Sequence, residues 1–303
     1  MKRLFFYFVI ILLLSVSCRK EEVFNPSRKI QTIQMQMPTQ MQQIAYFEYD
    51  KNTLVALQWA EPDQDAKHYE LEYNKDKTIA VIYDQLSKER AELTYEKKLL
   101  KEIKFYVDNQ LTSMIKVGRK KDKINQLDYI NVGSEVSALC NIIYPEQMQL
   151  HGVKVRKDNN LYMRQYITYE GDNVSRMRTY MFDNAQDSTL LCSYSYTYDI
   201  YSNPLYGLPL PLFSVKGYSK NNVATVQIIY DNGYENFDRA LISQRHDYTY
   251  KKRYPISHQM IENITLSDVV QMYDNVTHVY YDTVIVRRSG VNAQAYHVYE
   301  YCD

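Results

Sequence analysis

The chain has 303 residues, and its 36 Lys and Arg balance 36 Asp and Glu to a formal charge of zero. Hydrophobic residues make up 45% and charged residues 24%, which excludes a disordered chain, a collagen-like repeat and a disulfide scaffold. The balance also argues against nucleic acid as a partner, since such binders carry a basic surplus. At the N-terminus Lys2 and Arg3 precede an unbroken run of eleven apolar or aromatic residues, Leu4 to Leu14. A helix needs about 20 such residues to cross a hydrocarbon core. With the small residues Ser15, Val16 and Ser17 behind it, the segment 1–17 reads as a signal peptide rather than a membrane helix.

Cys18 stands directly after this segment and resembles the acylated cysteine of the bacterial lipoprotein lipobox. Ser15 occupies the place where Leu is usual, with Leu14 one position early, a relaxed form similar to that of Bacteroidota. The resemblance implies cleavage before Cys18 and acyl chains on its thiol. Several acyl chains on one residue give stable anchoring, so this lipid is expected to be the chain's membrane contact. Arg19-Lys20-Glu21-Glu22 resembles the signal that carries Bacteroidota lipoproteins to the outer face of the outer membrane, with Lys20, Glu21 and Glu22 as its elements. From Val23 to Gln43 the chain is rich in Gln, Met and Thr, carries Pro26 and Pro38, and holds no clean period. Residues 18–43 therefore read as anchor and flexible tether. The alternation Ile30, Thr32, Gln34 offers an edge strand as the alternative.

Residues 44–303 read as one β-sheet domain. Tyr69-Glu-Leu71-Glu-Tyr73 alternates at period two, with its carboxylates on the water face. Leu86 to Leu100 is a weak helical candidate, although Leu93, Tyr95 and Lys97 fit a strand equally well. In Cys192-Ser-Tyr194-Ser-Tyr196-Thr-Tyr198-Asp199 every ring falls on one face and every hydroxyl residue on the other. His246-Asp-Tyr248-Thr-Tyr250 repeats the pattern, as do Val279, Tyr281, Thr283 and Ile285, and then Tyr299 with Tyr301. Such residues suit a pleated, half-buried surface. Turn signals separate the runs at Asp50-Lys-Asn52, Asn74-Lys-Asp76, Glu170-Gly-Asp-Asn173, Asp183-Asn184, Asp231-Asn-Gly233 and Ser289-Gly290. The expected fold is all-β: an extended, twisted antiparallel meander, open or a half-barrel, with few or no helices.

A loose unit recurs: an apolar or aromatic residue, any residue, Tyr, then an acid before a turn. It appears at Phe47–Asp50, Ile167–Glu170, Tyr196–Asp199 and Ile228–Asp231. The unit resembles the Tyr-Asp repeats of Rhs-type proteins, without their paired glycines and fixed spacing. A wider resemblance is to the tyrosine-rich outer-membrane lipoproteins of Bacteroidota, a family without an assigned activity. It rests on Tyr196-Thr-Tyr198-Asp199-Ile-Tyr-Ser-Asn203-Pro204, the apolar run behind it, Ser219-Lys-Asn-Asn-Val223 and the tail Tyr299-Glu-Tyr301-Cys302-Asp303. It implies an antiparallel twisted sheet and carries over no site residues.

Leu205 to Phe213 is apolar but, with three prolines in 204–211, neither a helix nor a central strand. Leu208, Leu210, Leu212 and Phe213 form a candidate lid or contact loop, or a plug over the sheet. Catalytic patterns are missing. Gly217-Tyr-Ser219-Lys-Asn221 lacks the second glycine of a nucleophile elbow, and Ser113-Met-Ile-Lys116 stands without its companion motifs. No His-Glu-x-x-His, His-x-His, calcium loop or phosphate loop occurs, so neither metal nor cofactor is expected. Cys140, Cys192 and Cys302 identify no disulfide pair. Ser188 and Thr283 follow aspartates in strings that resemble the O-glycosylation acceptors of exported Bacteroidota proteins. These readings converge on a non-enzymatic lipoprotein of the outer membrane, lipid-anchored and facing the exterior. It would bind or scaffold a glycan or a protein partner, and the alternative is a carrier of a hydrophobic ligand.

Overall fold

A computed structural model of the chain describes residues 24, 26, 28–60, 66–84, 86–132, 161–182, 188–208, 215–231 and 237–302. Sixteen antiparallel strands follow one another around a closed barrel. They are β1 (Ile30–Gln36), β2 (Met41–Asp50), β3 (Thr53–Trp59), β4 (Lys67–Tyr73), β5 (Ile79–Asp84), β6 (Glu89–Glu96), β7 (Leu99–Val107) and β8 (Gln110–Lys120). Then come β9 (Lys123–Asn131), β10 (Leu161–Glu170), β11 (Asn173–Phe182), β12 (Ser188–Ser202), β13 (Asn221–Tyr230), β14 (Arg239–Lys251), β15 (Tyr254–Asp274) and β16 (Val279–Tyr301). Each pairs with the next in sequence, and β1 pairs with β16 to close the ring.

The open or half-barrel sheet is thus corrected to a closed barrel. Period-two alternation is the same in both, so it could not decide; closure rests on one long-range seam in which Ile33 opposes Tyr299 and Met35 opposes His297. The tether is shortened for the same reason. Ile30–Gln36 is a strand between β2 and β16, so it is not an edge, and β2 already begins at Met41. The helical option for Leu86–Leu100 gives way to β6 and a tight turn into β7. Ser289-Gly290 is not a turn either: both residues lie within β16. The expected signal peptide at 1–17, Cys18, Lys20, Glu21, Glu22 and Cys140 lie outside the described residues, as do Asp183-Asn184 and Asn232-Gly233.

The strands put apolar rings and branched chains inward. Phe47, Leu57, Tyr69, Ile82, Ile103, Phe105, Ile115, Leu127 and Tyr129 are all buried, and one contiguous cluster runs from Ile30 to Leu266. Sixteen strands around a circle would leave a water-filled lumen. Near-zero exposure of these inward chains means that the walls are drawn together and pack, as in a sandwich.

The outward positions of the barrel are mostly polar or charged, with Tyr166, Ile229 and Leu241 as exposed apolar exceptions. Glu70 and Glu72 of β4, Lys116 of β8, Arg176 and Arg178 of β11, and Arg245 and Asp247 of β14 all face water. Arg164 of β10 forks onto Asp128 of β9, with Nε–Oδ1 at 2.6 Å and a second N–H bond at 3.1 Å. A membrane barrel carries an apolar band outside and polar groups inside; this one has the opposite arrangement. No described helix is long and apolar enough to cross a membrane.

Turns explain how a chain of 303 residues manages with only 8 Gly. Lys97 and Lys98 both have positive φ (53° and 63°), and so do Asp108 and Asn109 (46° and 65°). Both pairs sit in two-residue hairpin loops, where the strand twist demands that geometry. Lysine and asparagine occupy positions that most hairpins give to Gly.

Candidate functional site

Polar chemistry inside the barrel gathers where β14, β15 and β16 run side by side. Alternation aims His246, Tyr248 and Tyr250 of β14 inward, and the register sets Tyr248 opposite His258 of β15. His258 in turn opposes His297 of β16. The three imidazoles form a parallel stack, with ring centroids 4.9 Å apart for His246–His258 and 5.0 Å for His258–His297. Tyr248 stacks on His258 at 4.5 Å. His246 Nδ1 and His258 Nε2 lie 2.7 Å apart, so one ring donates and the other accepts. The hydroxyl of Tyr299 and His258 Nδ1 are 3.4 Å apart.

The stack walls a cavity of about 260 Å³. Its other walls are Ile33 of β1, Ile44 of β2, Trp59 of β3, Val223 of β13 and Met260 of β15, and Asn203, Pro204 and Leu205 complete it from the loop after β12. Asn222, Gln244 and Tyr299 add polar atoms, but no Asp, Glu, Lys or Arg is among the lining residues. The three rings are near-parallel, and the close nitrogen pair is taken up by the His246–His258 hydrogen bond. Accordingly no group of three or more His, Cys, Asp or Glu among the described residues is placed to hold a metal ion.

The loop is fastened over this end of the barrel. The amide N–H of Asn203 donates to Lys220 O at 2.9 Å, its side chain donates to Ser219 O at 2.9 Å, and Gly207 N–H donates to Gly217 O at 2.8 Å. Ser219 Oγ donates to the Tyr198 hydroxyl at 2.8 Å, and that hydroxyl donates to Val174 O at 2.7 Å. Asp199 accepts from the backbone of Tyr201 at 2.8 Å, from the backbone of Asn222 at 3.2 Å and from the Tyr250 hydroxyl. The recurrent acid of the tyrosine unit here braces the loop rather than ending a strand.

Of the candidate loop residues, Leu208 is fully buried, whereas Leu210, Leu212 and Phe213 lie outside the described residues. Ser188 is exposed at the start of β12, and Thr283 is half-exposed on β16. Ser113 and Lys116 fall on opposite faces of β8, one buried and one exposed, so they form no pair. Cys192 is a free thiol in the core, and burial pushes its pKa up to about 11; Cys302 is free and half-buried. The histidine stack was not read from the sequence, because its members are 12 and 39 positions apart. A signal was present nonetheless: His246-x-Tyr248 and His297-x-Tyr299 both put His on the tyrosine face.

A scan against protein-family models finds no match, and neither does a search of curated proteins. Among solved structures, a porin-like protein from Bacteroides uniformis shares 10% identity at a TM-score of 0.48, over 90% of this chain and 97% of that one. A structure titled TcdB2-TccC3-TEV shares 12% identity at a TM-score of 0.24, over 80% of this chain but only 15% of that one. Likenesses this distant transfer no function.

Proposed function

We propose that the chain is a non-enzymatic binding lipoprotein of the outer membrane. Lipid on Cys18 anchors it, Lys20, Glu21 and Glu22 direct it to the exterior, and its barrel stands in water. The carrier reading gains most from the geometry, transferred from a half-barrel to the closed barrel. The observation that carries it is the ring-lined cavity beneath the fastened loop. A dry cavity of about 150 Å³ is known to accept benzene, so 260 Å³ suits an apolar ligand of about ten non-hydrogen atoms. Stacked imidazoles, phenols and an indole favour a flat one.

The chain has a single tryptophan, Trp59, and it lines the cavity. Titrating the full chain with naphthalene should shift Trp59 emission saturably, and Met260→Phe, which narrows the cavity, should weaken the response. An emission unchanged by any apolar ligand of this size would remove the carrier reading. The scaffold reading is favoured by a different feature, the far ends of β15 and β16.

A further inference from the structure

β15 and β16 outrun the barrel. β14 stops pairing at Arg239 opposite Ser267, and β1 reaches only to Met35 opposite His297. From Asp268 to Arg287 the two strands form a ribbon with no other described strand beside it. Both faces are apolar. Met272, Tyr281 and Ile285 share one, and Tyr280, Val284 and Val286 share the other, with Tyr280 at 63% and Val286 at 56% exposure. A lone two-stranded ribbon is marginal in water, and an exposed apolar edge is a template for another strand. The β15 edge is partly closed, because Val269 N–H donates to Asp238 at 2.7 Å. The β16 edge has no such cover among the described residues, and β16 contains neither Lys nor Pro to blunt it.

Direction decides against lipid as the occupant. Ile30 opposes Tyr301, so the anchor side of the chain enters at the end of β16 opposite the ribbon tip. β16 is 23 residues long, about 75 Å at ~3.3 Å per residue. With lipid on Cys18, the ribbon points away from the membrane. The edge sequence also complements itself. Antiparallel pairing centred on Thr283 sets Thr283 against Thr283, Tyr281 against Ile285 and Tyr280 against Val286. These are favourable cross-strand partners. Asp282, the one charge between Val279 and Val286, then faces Val284 and not its own copy. Every pair lies on the tip side of the bulge near Leu266 and Ser267.

We propose that the free edge of β16 pairs antiparallel with the same edge of a second copy, about a two-fold axis at Thr283. The test uses the full chain in mild detergent and a short bis-maleimide cross-linker, with the unsubstituted chain setting the background from its native cysteines. Thr283→Cys should convert most of the chain to covalent dimer. Tyr281→Cys and Ile285→Cys should cross-link when mixed and neither alone. Val276→Cys at the tip should stay monomeric, since the register holds the two tips about 48 Å apart. Cross-linking of Val276→Cys, or a light-scattering mass of one chain together with no cross-link at Thr283→Cys, overturns the proposal. Flotation of the Cys18→Ser variant with phosphatidylethanolamine vesicles, lost on Ile285→Lys, overturns it as well by making lipid the occupant.

Discussion

Tyr196 shows what a single position in this barrel contributes. It sits between Tyr194 and Tyr198 in an inward stack, with centroids 6.2 and 6.4 Å away, while Ser195 faces water. Tyr196→Ala should cost about 3 kcal/mol, the low end for removing an aromatic from a core, because its ring is only partly covered. Ser195→Ala should lie within about 0.5 kcal/mol of the parent. Denaturant melts of the two variants check this, and a larger loss at Ser195 would reverse the faces. The inward phenols also predict an alkaline limit. Burial raises the pKa of Tyr73 from 10.0 to about 12, and burial does the same at Tyr198 against an opposing hydrogen bond from Ser219. A raised phenol pKa favours the neutral folded form. Its contribution is therefore full below pH 10.0 and declines as the pH climbs toward about 12. Melting temperature followed against pH should hold up to about pH 10 and fall from there toward about 12. The face of every residue named here was legible in the sequence, because in a strand the side of the sheet follows from position parity alone.

Elements were less legible than residues. Strand runs and most turns could be read, but Ile30–Gln36 read as tether or, at most, an edge strand: Gln and Met weaken its alternation, and its burial depends on partners at 297–301. This seam is short, so it should be the barrel's weak line. Ile33→Ala, which removes a buried chain facing Tyr299, should cost about 2–5 kcal/mol. Hydrogen exchange should then show β1 amides opening before those of β7 and β8. The turn between β6 and β7 makes the opposite case. Lys97 and Lys98 hold left-handed geometry that costs a side chain about 1–2 kcal/mol each. Lys98→Gly relieves part of that cost but gives the unfolded chain more freedom. A net gain of about 0.5 kcal/mol is expected, measured as a rise in denaturant midpoint.

At the scale of the whole molecule, the proposed reading has a barrel that stands in water, supported by its outward charges and packed interior. Cys18→Ser should therefore release the protein from membranes in a form that stays dissolved without detergent. If it still pellets with outer membrane, the anchoring reading fails. Replacing Lys20, Glu21 and Glu22 with Ala should leave the chain acylated but shielded from protease added to whole cells. The candidate site belongs to this scale as well. Its walls come from Ile33 at one end of the chain to Tyr299 at the other, and no local pattern joins them. By itself the sequence determined the all-β class, the inward and outward faces and most of the tight turns. Each of these depends on neighbours within a few residues. Only the tertiary structure decided that the sheet closes, that three histidines stack, and that the β15–β16 ribbon stands clear. All three depend on register between strands far apart in the chain, and period-two alternation is blind to which strand lies alongside.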